Sequence, residues 1–302
     1  MRDGAPLRLP DFIAVGPPRT ATTWLDQVMR GHVGLPAGVK ETQFFIFRYS
    51  QGIEWYGAHF RDCPANLPVG EIAPTYFASA DAIERIAHHI PRCKIICTLR
   101  DPVERTYSHY RLWRKIGVVK ASSFDYVCAH RKDLISYSRY ALHLKAWQDK
   151  FGPENVLVCI NDDLDTSRQA YLDRICSFVG IAPIPLQDSP FEEEKTNTVT
   201  HAPRSGKLAQ NARHVADWLN AHRAYRTSSV LEWLGVWKLC HEGGQEFAAL
   251  TPEEDARLRE QFLPDVEALE ELIRRDLSAW KPRSQTPARF SSCGGIPTEF
   301  KA

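Results

Sequence analysis

The chain has 302 residues, 43% of them hydrophobic, which is enough for one sizeable core or two small ones. Its 38 lysines and arginines stand against 37 aspartates and glutamates, a formal net charge of +1, so bulk charge gives no reason to expect nucleic acid or another polyanion as a partner and any anion site must be local. Eight cysteines are scattered without a C-x-x-C pair, which predicts reduced thiols rather than structural zinc or a disulfide framework. Residues 1–6 lack the apolar core of a signal peptide, and no apolar window is long enough to span a bilayer. The expectation is a soluble, cytoplasmic protein with no membrane span.

Residues 12–15, Phe-Ile-Ala-Val, form a short apolar run of the kind that a doubly covered parallel strand shows. Gly16-Pro17-Pro18 stops it, and a helical pattern begins at Thr22. The unpaired N–H groups and positive dipole end of that helix point into the loop, where Arg19 adds a charge and Thr20, Thr22 and Thr23 add hydroxyls. Such a loop suits a phosphate; an ordinary strand-to-helix turn with a surface arginine is the alternative. The triphosphatase pattern G-x-x-x-x-G-K-[ST] requires glycine where Ala21 stands and lysine where Thr22 stands, so a magnesium triphosphate would not be gripped in the usual way.

Lys40 and Glu41 precede the aromatic pair Phe44-Phe45, which on its own reads as a solvated turn before buried rings. Residues 53–60 predict a short amphipathic helix, 69–77 a second strand running into a proline-directed turn, and 81–89 a helix ended before Pro91. Residues 94–100, Lys-Ile-Ile-Cys-Thr-Leu-Arg, are the clearest strand. Asp101, Pro102 and Glu104 then open a helix as N-cap, first helical residue and capping-box partner. Arg100 leaves the carboxyl end of the strand and Ser108 returns to the same side about two turns later, so both reach one ligand; a salt-bridged strand end and a solvent-facing hydroxyl are the alternatives.

A helix over 140–151, a strand over 156–160 and a helix over 171–179 continue a βαβ rhythm. The fold class predicted is α/β: a three-layer, open parallel sheet flanked by helices, with ligands beyond the carboxyl ends of the strands, where Gly16 and Arg100 both fall. Residues 181–205 read as a long loop with Lys195, Arg204 and Lys207 as its nearby cations, either solvated or functional. Helices are expected over 207–218, 228–239 and 252–279, the last opened by Thr251-Pro252-Glu253-Glu254. The organisation expected is one domain over 1–280, helical from 206, with an irregular tail over 281–302.

Pro18-Arg-Thr-Ala-Thr-Thr-Trp-Leu25 resembles the 5′-phosphosulfate loop, P-K-S-G-T-T-W-L, of sulfotransferases that use 3′-phosphoadenosine 5′-phosphosulfate, with Arg19 in the lysine position and Ala21 in the glycine position. Lys40-Glu-x-x-Phe-Phe45 is similar to the segment that carries the catalytic base in the heparan-sulfate branch, and Glu71-Ile-Ala-Pro-Thr-Tyr-Phe77 to its E-K-x-P-x-Y-F segment, with Ile72 in place of lysine. The resemblance, over roughly residues 10–205, implies a P-loop-like sulfotransferase fold and an enzyme that turns the donor into adenosine 3′,5′-bisphosphate without a metal. It implies Glu41 and Arg19 as catalytic residues and 19–24 (Arg19, Thr20, Ala21, Thr22, Thr23 and Trp24) as the donor loop. Arg100 with Ser108 would bind the 3′-phosphate, and the late basic residues Arg204 and Lys207 would close over the nucleotide. Lys40, Phe44, Phe45 and Tyr76 are the acceptor-side candidates, the acceptor being a small molecule or carbohydrate. Ile72 and the aromatics 44, 45, 55, 76 and 77 together suggest an uncharged or lipophilic acceptor. A P-loop kinase and a non-catalytic nucleotide-binding module are the other two classes, the second favoured only by the departures at 19, 21 and 72.

Overall fold

The computed structural model describes residues 7–120, 123–187, 189–191 and 199–282. Four parallel strands form the central sheet: β1 (Phe12–Ala14), β2 (Gly70–Ile72), β3 (Lys94–Leu99) and β4 (Val156–Ile160), in the order β2-β1-β3-β4. Ile13 lies opposite Glu71 on one side and Ile95 on the other. Helices cover both faces: α1 (Thr22–Met29), α2 (Ile53–Gly57), α3 (Ala80–His89), α4 (Pro102–Lys115), α5 (Phe124–His130), α6 (Lys132–Ser136), α7 (Tyr140–Phe151), α8 (Asn161–Thr166) and α9 (Arg168–Val179). The chain continues through β5 (His201–Pro203), α10 (Gly206–Ala221), α11 (Tyr225–Trp233), α12 (Val236–His241), β6 (Gly243–Glu246) and α13 (Pro252–Ile273).

The apolar strand runs split their side chains between two cores. Ile13, Val15, Ile95, Cys97 and Leu99 face one, with α3, α7 and α13, while Phe12, Ala14, Ile72 and Ile96 face the other, with α1 and α9. Strict alternation with both faces covered explains why β1 is wholly apolar and why Thr98 is the one polar residue in the buried part of β3. Because β2 and β3 flank β1 on opposite sides, the chain reverses its order there, and a crevice opens at the carboxyl ends of β1 and β3.

Asp101 caps α4 through the N–H groups of Val103 and Glu104, and Thr251 with Glu254 completes the capping box of α13. Other expectations need correction. The Glu104 side chain is not part of a box, since it pairs with Arg100. The helix expected over 228–239 is two, broken where Gly235 takes φ 72°, and α13 stops at Ile273, where Arg274 turns left-handed. Helices α5, α6 and α8 and the antiparallel β5–β6 pair were not foreseen. Residue 195 and all of the tail beyond 282 lie outside the described residues.

Candidate active site

Only glycine fits at position 16. A Cβ there would sit 2.1 Å from Thr98 Oγ1 and 2.5 Å from the Thr98 backbone nitrogen, so the chain leaving β1 lies directly against β3. The loop is then folded back on itself: the Thr20 hydroxyl, fully buried, donates to the Pro17 carbonyl at 2.7 Å and shares a 2.7 Å bond with Thr98 Oγ1. Thr20 thus closes the loop, a correction to its expected role as a side-chain phosphate ligand. Arg19 at φ 82° and Ala21 at φ 60° are both left-handed, which accounts for glycine in the related pattern at the second of these positions. Ala21 leaves α1 without a side-chain cap and no acidic residue stands in its first turn, so the Thr22 and Thr23 end is suited to an anion. The Trp24 side chain turns away, packing edge-on against Tyr171 and donating to the Phe191 carbonyl at 3.1 Å; its ring belongs to the core and not to the donor loop.

Helix α4 brings the second half of the anion site. Arg19 Nε donates to Ser108 Oγ at 2.8 Å, while Arg100 turns to the Glu104 carboxylate at 2.7 Å. Ser108 is therefore joined to the loop arginine, while Arg100 is paired with Glu104. Burial, and then the charges of Arg100, Arg111 and Arg105, pull the Arg19 pKa down to about 10, which still leaves it cationic at neutral pH. Arg105 is fully buried beneath, donating to Ser138 Oγ at 2.6 Å and the Leu134 carbonyl at 2.6 Å and reaching the Pro18 carbonyl of the loop. His109, bonded to Arg105, is held well below its ordinary pKa by burial and then by Arg105, and so stays neutral. Arg111 carries a buried Nε with no hydrogen-bond partner. Asp101 is taken up by the α4 N-terminus and by Arg259. Arg19, Arg100, Arg105 and Arg111 are thus gathered close enough for their charges to act on one another, with the buried Arg111 Nε unbonded among them, which is the chemistry of a site for a multiply charged anion.

Arg204 is exposed and donates to the Gly243 carbonyl at 3.0 Å, pinning β5 to β6, and Lys207 is exposed in the first turn of α10. Strand β5 packs on α4, but Arg204 is spent on its own partner strand rather than on the loop.

On the other side of the crevice, Glu41 lines a cleft with Gln43, Arg48, Asp217, Asn220 and Tyr225, and its carboxylate is 3.0 Å from Lys40 Nζ. The Tyr137 ring packs against His109 and the Arg105 guanidinium, and the charges of both Arg105 and Glu41 act on its phenol. The aromatic acceptor lining, by contrast, is not formed. Phe44, Phe45 and Tyr76 have no solvent exposure: Phe44 stacks on Tyr56 at 4.8 Å, Phe45 meets Tyr56 edge-on at 5.0 Å, and the Tyr76 hydroxyl is turned inward to Glu71. Ile72 is packed on the opposite face of the sheet with α1, so its identity says nothing about charge in the cleft.

Glu71 is the residue that the motif reading passed over. It is fully buried, and its Oε1 accepts both the N–H and the hydroxyl of Thr42 at 2.7 Å while Oε2 accepts from Tyr56 at 2.8 Å. Burial lifts its pKa to about 7 against the pull of these hydrogen bonds, and the Glu41 charge adds to the rise. The available signal was a lone carboxylate inside an otherwise apolar strand.

A model of the sulfotransferase domain matches residues 9–238. The mouse bifunctional heparan sulfate N-deacetylase/N-sulfotransferase 3 is 31% identical over 199 residues, which are 58% of this chain but only 23% of that protein. The membrane-associated sulfotransferase kil1 of Dictyostelium discoideum is 35% identical over 135 residues, 42% of this chain and 28% of that one. Among solved structures, a sulfotransferase from Alicyclobacillus acidocaldarius shares the fold with a TM-score of 0.64 over 90% of this chain and 99% of its own, at 21% identity. The parallel sheet, the anion-ready loop after β1 and this match over most of the length agree, and the chain belongs to the sulfotransferase domain family.

Proposed function

We propose that this chain transfers a sulfuryl group from 3′-phosphoadenosine 5′-phosphosulfate to a hydroxyl or amine of a carbohydrate or polar small-molecule acceptor, with Glu41 as general base. The observation that carries the reading is a pair of chemistries: a cationic, donor-rich loop at the carboxyl ends of β1 and β3, and a polar cleft holding Glu41, with Tyr137 within reach of the charges of Arg105 and Glu41. The residues fit the nucleotide, since the start of α1 has no side-chain cap, the Arg111 Nε is buried without a hydrogen-bond partner, and Arg19 adds a cation beside them. In the proposed reaction Glu41 takes the acceptor proton as the acceptor oxygen or nitrogen bonds to sulfur. Arg19 meets the charge left on the departing phosphate oxygen, held on station by Ser108. Arg100 supplies the 3′-phosphate contact once it lets go of Glu104. The seven free cysteines among the described residues support a reducing compartment as part of the same proposal.

Adenosine 3′,5′-bisphosphate should raise the melting temperature and a nucleoside triphosphate should not; the reverse order would favour a kinase. Glu41→Gln keeps the shape without the base, and turnover of labelled donor should fall by roughly a hundredfold while bisphosphate affinity is retained. A fully active glutamine variant would remove Glu41 from the chemistry.

A further inference from the structure

Residues 40–43 belong to no helix or strand, yet they carry the proposed base. Their attachment to the scaffold is Glu71. The Thr42 N–H, one peptide beyond Glu41, ends on Glu71 Oε1 at 2.7 Å, and the Thr42 hydroxyl ends on the same oxygen at 2.7 Å. Immediately beyond, Gln43 takes the left-handed φ of 54° and opens the tight turn Phe44–Arg48, so the chain reverses directly after the tether.

The carboxylate is unusual in its company. Glu71 has no exposure to solvent, and its hydrogen-bond partners are the neutral donors of Thr42, Tyr56 and Tyr76, with no lysine or arginine among them. A buried carboxylate without a cation is costly, and an apolar side chain would fill the same space without that penalty. What the carboxylate provides that leucine cannot is a two-pronged acceptor, aimed at a backbone N–H that the sheet itself does not satisfy. Glu71 is also well placed to transmit geometry. It stands on β2 opposite Ile13 of β1, and β1 runs within three residues into Gly16 and the anion loop.

We infer that Glu71 is a positioning residue for the transfer reaction: through Thr42 it fixes the backbone that carries Glu41 relative to the β1 loop. The inference rests on the reading of Glu41 as the base. The loop and the base segment are then referenced to the same strand pair, and the distance between the reacting groups is set by a single carboxylate. A misplacement of about 1 Å in such an arrangement costs on the order of a hundredfold in rate, without any loss of binding groups.

The test is steady-state kinetics with labelled donor, adenosine 3′,5′-bisphosphate binding and thermal melting on four single variants and one double variant. Glu71→Gln keeps an oxygen for Thr42 and an amide for Tyr56, so kcat should stay within about threefold of wild type. Glu71→Leu orphans the Thr42 N–H, and kcat should fall by roughly 10- to 100-fold while bisphosphate affinity and acceptor KM change by less than about threefold. Should the leucine variant fail to fold, Thr42→Val decides, because it removes one prong only: kcat lowered by about 3- to 10-fold at unchanged bisphosphate affinity supports the inference, and unchanged kcat overturns it. A folded Glu71→Leu enzyme with wild-type kcat, or a glutamine variant as impaired as leucine, also overturns it. Glu41→Gln separates the two readings. In that background Glu71→Leu should cost no further rate, since a base that is absent cannot be misplaced. A fully active Glu41→Gln removes the base and the positioning role together, whereas an inactive Glu41→Gln beside a wild-type Glu71→Leu removes the positioning role alone.

Discussion

Glu104 is predicted to restrain nucleotide binding, so that its neutralisation tightens the complex. Arg100, the proposed 3′-phosphate ligand, is held by Glu104 one helical turn on, at 2.7 Å, with the arginine side chain 34% and the carboxylate 57% exposed. Exposed pairs at that spacing are worth about 0.3–0.5 kcal/mol, which a ligand taking over Arg100 must first displace. The carboxylate also repels the ligand: a unit charge and a phosphomonoester of nearly two charges, about 6 Å apart in water, cost roughly 1.4 kcal/mol before screening and about half that at physiological salt. Together the two effects come to about 1 kcal/mol, or roughly fivefold in affinity. Isothermal titration should show Glu104→Gln binding adenosine 3′,5′-bisphosphate about fivefold more tightly and adenosine 5′-monophosphate unchanged. Arg100→Ala should abolish the gain while weakening the bisphosphate by about 2–4 kcal/mol. No gain in Glu104→Gln, or an equal gain for both nucleotides, would refute the assignment of Arg100 to the 3′-phosphate.

Gly16→Ala should destabilise the protein by about 3 kcal/mol or more, because the new Cβ meets the β3 backbone at 2.5 Å and neither strand can yield; denaturant titration at an unchanged m value checks this. Stability should also depend on Glu71. Folding raises its pKa from 4.5 to about 7, so the folded state keeps a proton that the unfolded chain releases, and this contribution is complete below about pH 4.5 and lost as pH rises through about 7. The total is on the order of 3 kcal/mol, so the stability difference between Glu71→Gln and wild type should move in favour of the variant by about that much between pH 4.5 and pH 8; a pH-independent difference would contradict it.

The parts of this molecule that were legible from sequence are those decided locally. The strand at 94–99, the Asp101 cap and the Thr251 box depend on alternation and on a few neighbouring donors and acceptors, and all three are present in the structure. Helices α6 and α8 are five and six residues long and owe their existence to what they dock on, which no periodicity within them announces. The same distinction divides the site. The spacing sets Arg100 just before α4 and Ser108 about two turns into it, but the partner that claims Ser108 is Arg19, 89 positions away in the chain. Phe44 and Phe45 are adjacent in a tight turn, where neither a period of 2 nor one of 3.6 assigns a face, and both turn inward. Glu71 was hidden for the opposite reason: its strand reads as buried, and only the structure shows that the Thr42 and Tyr56 donors wait for it.

The acceptor side follows a different logic from the donor side. Once Phe44, Phe45 and Tyr76 are assigned to the core, what remains around Glu41 is Val39, Thr42, Gln43, Arg48, Asp217, Asn220 and Tyr225, most of them groups that hydrogen-bond rather than enclose an apolar ring. A cleft of this kind discriminates through the polar groups left unpaired by a wrong ligand, which is far more selective than the fit of a methylene. Three of the eight lining residues, Asp217, Asn220 and Tyr225, come from α10 and α11. Helix α10 is seated by the buried Ala209, Ala212 and Leu219, whereas no residue of α11 is buried, and Tyr225 holds it through a 2.7 Å bond to His59 and its ring over Gly38. Part of the lining that would meet the acceptor therefore lies far along the chain from the loop and base motifs. A chain can keep the donor chemistry of its family intact while its acceptor changes through substitutions confined to 217–225.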